Sequence, residues 1–334
     1  MKRLIALLLC LLLLVGCGER TSAGTTDPAT EPTFTAPTTV PATTAQRDPD
    51  AVTPLFWHIT GKNGGELWLL GTIHVGDTRT ENLPWQITTA LEAADALAVE
   101  CDVQAAMDDM DLMVGLSMMM MYSDGTTISD HIPADLYENA RQRLTDLGLY
   151  AGYCDYLQPM AWESLISETY AAQAGLDSEA GVDMRLLAMA KEEGLEIREV
   201  ESGTEQYELL FGFSDALQAM LLRETVDYDP EAYQAELARL LDAWCAGDEA
   251  ALREMALGDG SAEGMTEEDL ALYTDYYEAI YTSRNAGMAE TAISYLESGD
   301  KVFFAVGTAH MLGDDGIIAA LEAAGYTVEQ IPYN

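Results

Sequence analysis

Leu70-Gly71-Thr72-Ile73-His74-Val75-Gly76-Asp77 and Val306-Gly307-Thr308-Ala309-His310-Met311-Leu312-Gly313-Asp314 are two near-copies of one pattern at opposite ends of the folded region. Each directly follows an apolar stretch that reads as a β-strand, residues 66–70 and 301–306. In open α/β sheets ligands bind beyond the carboxyl ends of the strands. Gly71 and Gly307 there let the backbone turn and approach a ligand, and a histidine three residues later can point back over the sheet edge. The chain has four histidines, so the two motifs hold half of them. If their strands are neighbours, His74 and His310 converge on one point, as a pair of metal ligands or general bases would. Either histidine alone would read as structural; the shared pattern favours function for the pair.

Working outward, residues 55–60 and 66–70 read as a hairpin turning through 61–65. A helix is expected after Pro84, with Ile87, Ala90, Leu91 and Ala94 at helical spacing, then a short strand over 97–100. Helices follow over about 104–122, 133–147, 159–174 and 181–193, the last stopped by Gly194. A strand covers 195–200 and a long helical region 204–298. Strand 301–306, helix 315–324 and strand 327–331 close the chain. Strands alternating with helices predict an α/β fold, a central mixed β-sheet flanked by helices with a large helical insertion.

Two acids share the position of the histidines. Glu100 ends the strand over 97–100 and Glu201 follows the strand over 195–200. A carboxylate there can ligate a metal or serve as base toward a metal-bound water. His58, mid-strand, and His131, in a loop, read as structural. Seven of the sixteen methionines, Met107, Met110, Met113 and Met118 to Met121, crowd one predicted helix. Core packing is the favoured reading for them, a peptide- or haem-lining groove the rival.

The N-terminus has another character. Lys2 and Arg3 precede a twelve-residue apolar run, residues 4–15, too short to span a bilayer and suited to a secretory signal. It ends in Leu14-Val15-Gly16-Cys17, which resembles the lipobox of bacterial lipoproteins, in which the cysteine is acylated and becomes the first residue. Residues 1–17 are thus expected to be a lipoprotein signal with Cys17 as its lipid anchor, fixing the protein to the cell membrane on its extracytoplasmic face. Residues 21–50 carry ten Thr and five Pro, which predicts a disordered linker over 18–51; one domain then fills 52–334. With 16 basic against 57 acidic residues and a net charge of −41, a nucleic-acid partner is excluded. Cys101, Cys154 and Cys245 match no zinc spacing and leave room for one disulfide.

Several features together resemble the TraB/GumN family, whose relatives include the Tiki metalloproteases and the pheromone-shutdown proteins. They are Trp57 in the first strand, the two Gly-x-x-His motifs, Glu100, Pro159 before an amphipathic helix and Gly181-Val182-Asp183. Glu201 with Gln206, and Arg284-Asn285, complete the set. The resemblance spans about residues 52–334; Met160 stands where the family often has Trp. It implies a TraB/Tiki-like fold, with erythromycin-esterase/ChaN-like relatives, that gathers both histidines and a glutamate in one site. It also implies a divalent metal (manganese, cobalt or zinc) on His74, His310 and Glu100, and a peptide or protein substrate. Glu201 would be the second acid; Arg284 and Asn285 would bind a substrate carboxylate or an oxyanion, or serve as an ion pair and a helix-end hydrogen bond. The expected function is metal-dependent hydrolysis, most readily of a peptide. Its rivals are a metal-free His/Glu hydrolase, a lipoprotein that captures haem, a metal or a peptide without turnover, and a degenerate member that sequesters a peptide.

Overall fold

The structure is a computed structural model that describes residues 52–258 and 265–333. The predicted leader, Cys17 and linker lie outside the described residues. Strand β1 (Phe56–Thr60) turns through residues 61–65 into β2 (Glu66–Thr72), as the hairpin pattern predicts. Then come α1 (Trp85–Ala93), β3 (Ala96–Val99), α2 (Val103–Asp108), α3 (Met110–Met119), α4 (Ile128–His131) and α5 (Ala134–Asp146). A 3-10 turn (Gly152–Tyr156) leads to α6 (Pro159–Gln173), α7 (Val182–Glu193) and β4 (Glu196–Glu199).

The helical insertion follows: α8 (Gly203–Phe211), α9 (Asp215–Asp227), α10 (Pro230–Ala246), α11 (Glu249–Leu257) and α12 (Glu267–Tyr277). A π-helical turn (Glu278–Thr282) joins α12 to α13 (Ser283–Ser298). Side-chain caps divide this region where periodicity alone shows one long helical stretch. Ser202, Ser214, Asp229 and Asp248 each accept a backbone N–H of the helix they start. The chain ends with β5 (Lys301–Gly307), α14 (Thr308–Met311), α15 (Ile317–Ala323) and β6 (Glu329–Gln330).

The six-stranded sheet has the order β4-β3-β5-β2-β1-β6. The β4-β3-β5-β2 run is parallel, and β1 is antiparallel to both β2 and β6. This is the mixed α/β sheet that the alternation of elements predicts. β5 lies at its centre. Val302, Phe303, Phe304, Ala305 and Val306 are fully buried, as a parallel strand covered on both faces must be. Burying side chains such as Phe303 and Phe304 contributes roughly 1.5–3 kcal/mol each, so the strand that carries the second histidine motif is also an anchor of the core.

Three expectations are corrected. The helix predicted over 104–122 breaks at Asp109, whose carboxylate accepts the N–H groups of Asp111 and Leu112 and starts α3. Of the methionines read as core, Met120 is buried, whereas Met107, Met110, Met118 and Met121 are exposed. Apolar residues occur on every face of α3, so the sequence holds no period to show which face packs inward. His58 pairs with Glu66 and stacks on Trp68. His131 lies at the end of α4 rather than in a loop, between Thr126 and Asp215. Cys101, Cys154 and Cys245 are all free thiols.

Candidate functional site

The strand order brings the predicted residues together. β2, β5, β3 and β4 are consecutive and parallel, and His74, His310, Glu100 and Glu201 each leave the carboxyl end of one of them. The register is level: Thr72 pairs with Gly307 and Val99 with Ala305. Backbone bonds continue the ladder past β3 and β4, where the N–H of Glu201 donates to the carbonyl of Glu100 at 2.8 Å.

Each histidine is fixed from behind through Nδ1. His74 Nδ1 lies 2.8 Å from Asp183 Oδ2. Asp183 sits in the first turn of α7, where a negative charge is favoured, and its Oδ1 accepts the Thr72 hydroxyl at 2.6 Å. His310 Nδ1 lies 2.6 Å from Asn285 Oδ1, and the Asn285 amide donates to the carbonyl of Asp315. A side-chain oxygen facing Nδ1 assigns the proton to that nitrogen and leaves Nε2 as the basic atom of the ring. Burial of His310, against the pull of Glu100 and with the push of Arg284 and His74, lowers its pKa to about 4. It is therefore neutral at physiological pH, the state in which imidazole ligates or accepts a proton.

Glu100 completes the floor. Its Oε1 accepts the N–H of Gly307 at 2.7 Å and lies 3.8 Å from His310 Nε2. Its Oε2 accepts Arg284 Nη2 at 2.9 Å and the Gln206 amide at 3.2 Å. Burial by itself would raise the carboxyl. The charges of His310, Arg284 and His74 and the Gly307 N–H outweigh it and hold Glu100 below the usual carboxylate range. The Arg284 guanidinium and the Gly307 N–H sustain this when His310 is neutral. Arg284 also grips Glu201 through Nε and Nη2, at 2.9 and 2.7 Å. Glu100 is thus the acid against the histidines, and Glu201 braces Arg284 from the far side.

Close approach leaves little room for a side chain at either motif glycine. A Cβ on Gly71 would lie 2.8 Å from the Thr308 hydroxyl. A Cβ on Gly307 would lie 3.2 Å from Glu100 Oε1, 3.4 Å from His74 Nε2 and 3.6 Å from His310 Cδ2. The space that this missing side chain leaves is shared by all three functional groups.

Above the floor, the helical insertion forms the roof of a pocket with about 930 Å³ of empty space, part of it open to solvent. His74, His310, Arg284 and Gln206 supply its polar end; Leu209, Leu240, Trp244, Leu252, Ile280 and Tyr281 make the rest apolar. The π-helical turn before α13 carries Ile280 and Tyr281, and Arg284 follows in the first turn of α13; such turns often mark functional sites.

Asn285 lies behind His310 with both polar atoms of its amide engaged. In this position it orients the His310 ring. Asp183 and Gln206 belong to the residues of the family resemblance, but the sequence shows no role for them; the one local signal is a carboxylate in the first turn of a helix that follows a glycine. Among the described residues, no group of three or more His, Cys, Asp or Glu is so placed that it could hold a metal ion as it stands. The donors still fit a divalent cation in kind. Two anchored imidazoles and an ionised carboxylate border one small space, and three formal carboxylate charges (Asp183, Glu100, Glu201) exceed the single charge of Arg284.

The TraB/PrgY/gumN family profile matches residues 55–330. Two curated relatives are each called "Uncharacterized protein YbaP", one from Escherichia coli (strain K12) and one from Shigella flexneri. Each is 26% identical over 155 residues, 46% of this chain and 54% of the relative. The chain therefore spans about half the length of the curated relatives it matches. No solved structure matches.

Proposed function

The chain belongs to the TraB/PrgY/gumN family, and from that premise we propose that it is a metal-dependent hydrolase acting on a peptide bond. His74, His310 and Glu100 would hold one divalent cation, manganese, cobalt or zinc. The observation that carries this reading is the shared anchoring of the two rings. Asp183 and Asn285 take Nδ1 of each, so both Nε2 atoms serve the space beside Glu100. A carboxylate or amide oxygen behind a ligating imidazole is the usual support of a metal-binding histidine. When bound, the ion supplies Lewis acidity and lowers the pKa of a water toward ~7.

The chain's own residues do the rest. Arg284 keeps Glu100 ionised and in place, Gln206 bridges Glu100 and Glu201, and the apolar roof receives the substrate's side chain. We further propose that the leader and Cys17 attach the domain to the cell membrane on its extracytoplasmic face.

A second reading, a metal-free hydrolase, is favoured by one specific contact. His74 and Asp183 form a carboxylate–imidazole pair that can act as a general base without a metal. One experiment separates the two. The full chain is stripped, reloaded with manganese, cobalt or zinc, and compared with the His74→Ala, His310→Ala double variant for metal uptake and for cleavage of a fluorogenic peptide library. Stoichiometric uptake lost in the variant, with chelator-sensitive cleavage, supports the metallohydrolase. Chelator-resistant cleavage supports the His74–Asp183 base. Uptake without any cleavage moves the protein to ligand capture.

A further inference from the structure

The methionines that do not join the core form a surface of their own. Met110, Val114 and Met118 are spaced four residues apart along α3 and are 76%, 54% and 68% exposed. That spacing sets them along one face of the helix. Met107 and Met121, also exposed, lie just beyond its two ends. The opposite face is spent on packing: Leu116 and Met120 are buried with Tyr207 and Leu210 of α8. Large apolar side chains exposed together along one helix face mark a place where something binds.

The surroundings say what kind of partner it is. Between Arg79 and Arg141 the chain contains no Lys or Arg. Asp108, Asp109, Asp111 and Asp124 are exposed around the stripe, and Lys191, which comes in at the start of α2, pairs with Asp102 at 3.7 Å. A second copy of this chain would bring like charges face to face, on molecules that each carry a net charge of −41, and anionic lipid is repelled for the same reason. A cationic partner is attracted. Unbranched, polarizable methionine side chains adapt to apolar side chains of varied shape.

We propose that the face of α3 formed by Met110, Val114 and Met118 is a docking surface for a cationic amphipathic polypeptide segment, whose apolar side chains lie on the methionines and whose Lys or Arg side chains meet the flanking aspartates. The surface stands independently of the chemistry proposed for the histidine site. It is nonetheless close to it in the fold, because the inner face of α3 packs on Leu210, which also lines the pocket. A polypeptide held here lies one helix away from the pocket.

The test uses the full chain and a labelled Leu/Lys amphipathic peptide of roughly four helical turns, followed by fluorescence anisotropy. A Lys/Gln peptide of equal charge but no apolar face, and a Leu/Glu peptide of reversed charge, are the controls. The Leu/Lys peptide should bind at least about ten-fold tighter than the Lys/Gln peptide, and the Leu/Glu peptide should not bind. The variant Met110→Gln, Val114→Gln, Met118→Gln changes only exposed side chains; with an unchanged melting temperature, it should lose that ten-fold preference. Equal affinity for both cationic peptides, or an unchanged preference in the variant, overturns the proposal. So does a dimer in sedimentation equilibrium, or binding to phosphatidylcholine vesicles, that the variant abolishes, since the stripe would then belong to a second copy or to a membrane.

Discussion

The backbone N–H of Gly307 donates to Glu100 Oε1 at 2.7 Å, so the central strand that delivers His310 also positions the carboxylate delivered by its neighbour. This bond ties two strand ends into one unit at the point where both motif histidines arrive. It also explains why position 307 carries no side chain: the same backbone that holds Glu100 would otherwise push a methyl group into it.

Gly307→Ala should therefore fold but lose the site. The added Cβ meets Glu100 Oε1 at 3.2 Å, tighter than ordinary contact, and reaches His74 Nε2 at 3.4 Å; Glu100 is buried and tied to Gly307, Arg284 and Gln206, so it cannot retreat far. Overpacking of this kind typically costs about 1–3 kcal/mol. Urea unfolding should show a loss in that range, while manganese or cobalt uptake and peptide cleavage fall to background. Full activity in the alanine variant would mean that the three groups need not share that space.

Asp183→Asn tests the support of His74. The asparagine keeps the shape and can still accept the Nδ1 proton through its amide oxygen, but it removes the negative charge that strengthens the ring as a donor. Metal affinity, read by isothermal titration, should fall about 10- to 100-fold with little change in thermal stability. Unchanged affinity would place His74 outside the coordination shell. In that case a drop in the rate of hydrolysis alone would assign Asp183 to the metal-free general base.

The sequence carries the fold where its periods are clean and hides it where they are not. β1, β2, β3, β5, α1 and α5 to α7 lie close to their predicted spans because apolar spacing, Pro84, Pro159 and Gly194 mark them. The pairing of His74 with His310 was legible because two strand-end motifs repeat one pattern. The level register of β2 and β5, which makes the pair a site, is a tertiary fact. Asp183, 109 residues from His74 in the chain, had no local sign of its partner. Glu100 and Glu201 were equivalent in sequence; their unequal roles come from Arg284, which reaches both from a helix more than 80 residues away. The exposed methionines were hidden because α3 carries apolar residues on every face; the α2–α3 break was marked only by the capping Asp109 inside a continuous helical pattern.

Arg284 should matter for stability as well as chemistry. It is the cation between two carboxylates, one buried and one nearly so. Removing it leaves Glu100 and Glu201 facing each other without compensation, and breaking such a buried cluster costs roughly 3–5 kcal/mol. Arg284→Gln should show that loss in urea unfolding, and the double variant Arg284→Gln, Glu201→Gln should recover part of it by removing one of the stranded charges. A single-variant loss below about 1 kcal/mol, the range of exposed pairs, would show that water replaces the guanidinium easily.

Glu163 predicts a pH dependence that is separate from the site. It is fully buried in α6; its Oε1 accepts the Thr225 hydroxyl at 3.0 Å, and its Oε2 has no hydrogen-bond partner among the described residues. Burial raises its pKa from 4.5 to about 8, opposed by Thr225 and Ser167 and reinforced by Glu168 and Glu224. The folded state therefore holds a proton that the unfolded state releases above 4.5. Stability falls as pH rises through the window from 4.5 to about 8 and is lowest where the buried carboxyl must ionise. Glu168, raised to about 7 by its own burial, adds to this trend but is common to both proteins in the comparison. Glu163→Gln keeps the shape and the bond to Thr225 and abolishes the titration. Wild type and variant should be similarly stable near pH 4.5, and the variant should gain with rising pH, reaching an advantage on the order of a few kcal/mol by about pH 8. Urea midpoints of the full chain across this range measure it. A constant difference between the two proteins would show that Glu163 titrates as an ordinary solvated carboxylate, and that α6 and α9 open to water around it.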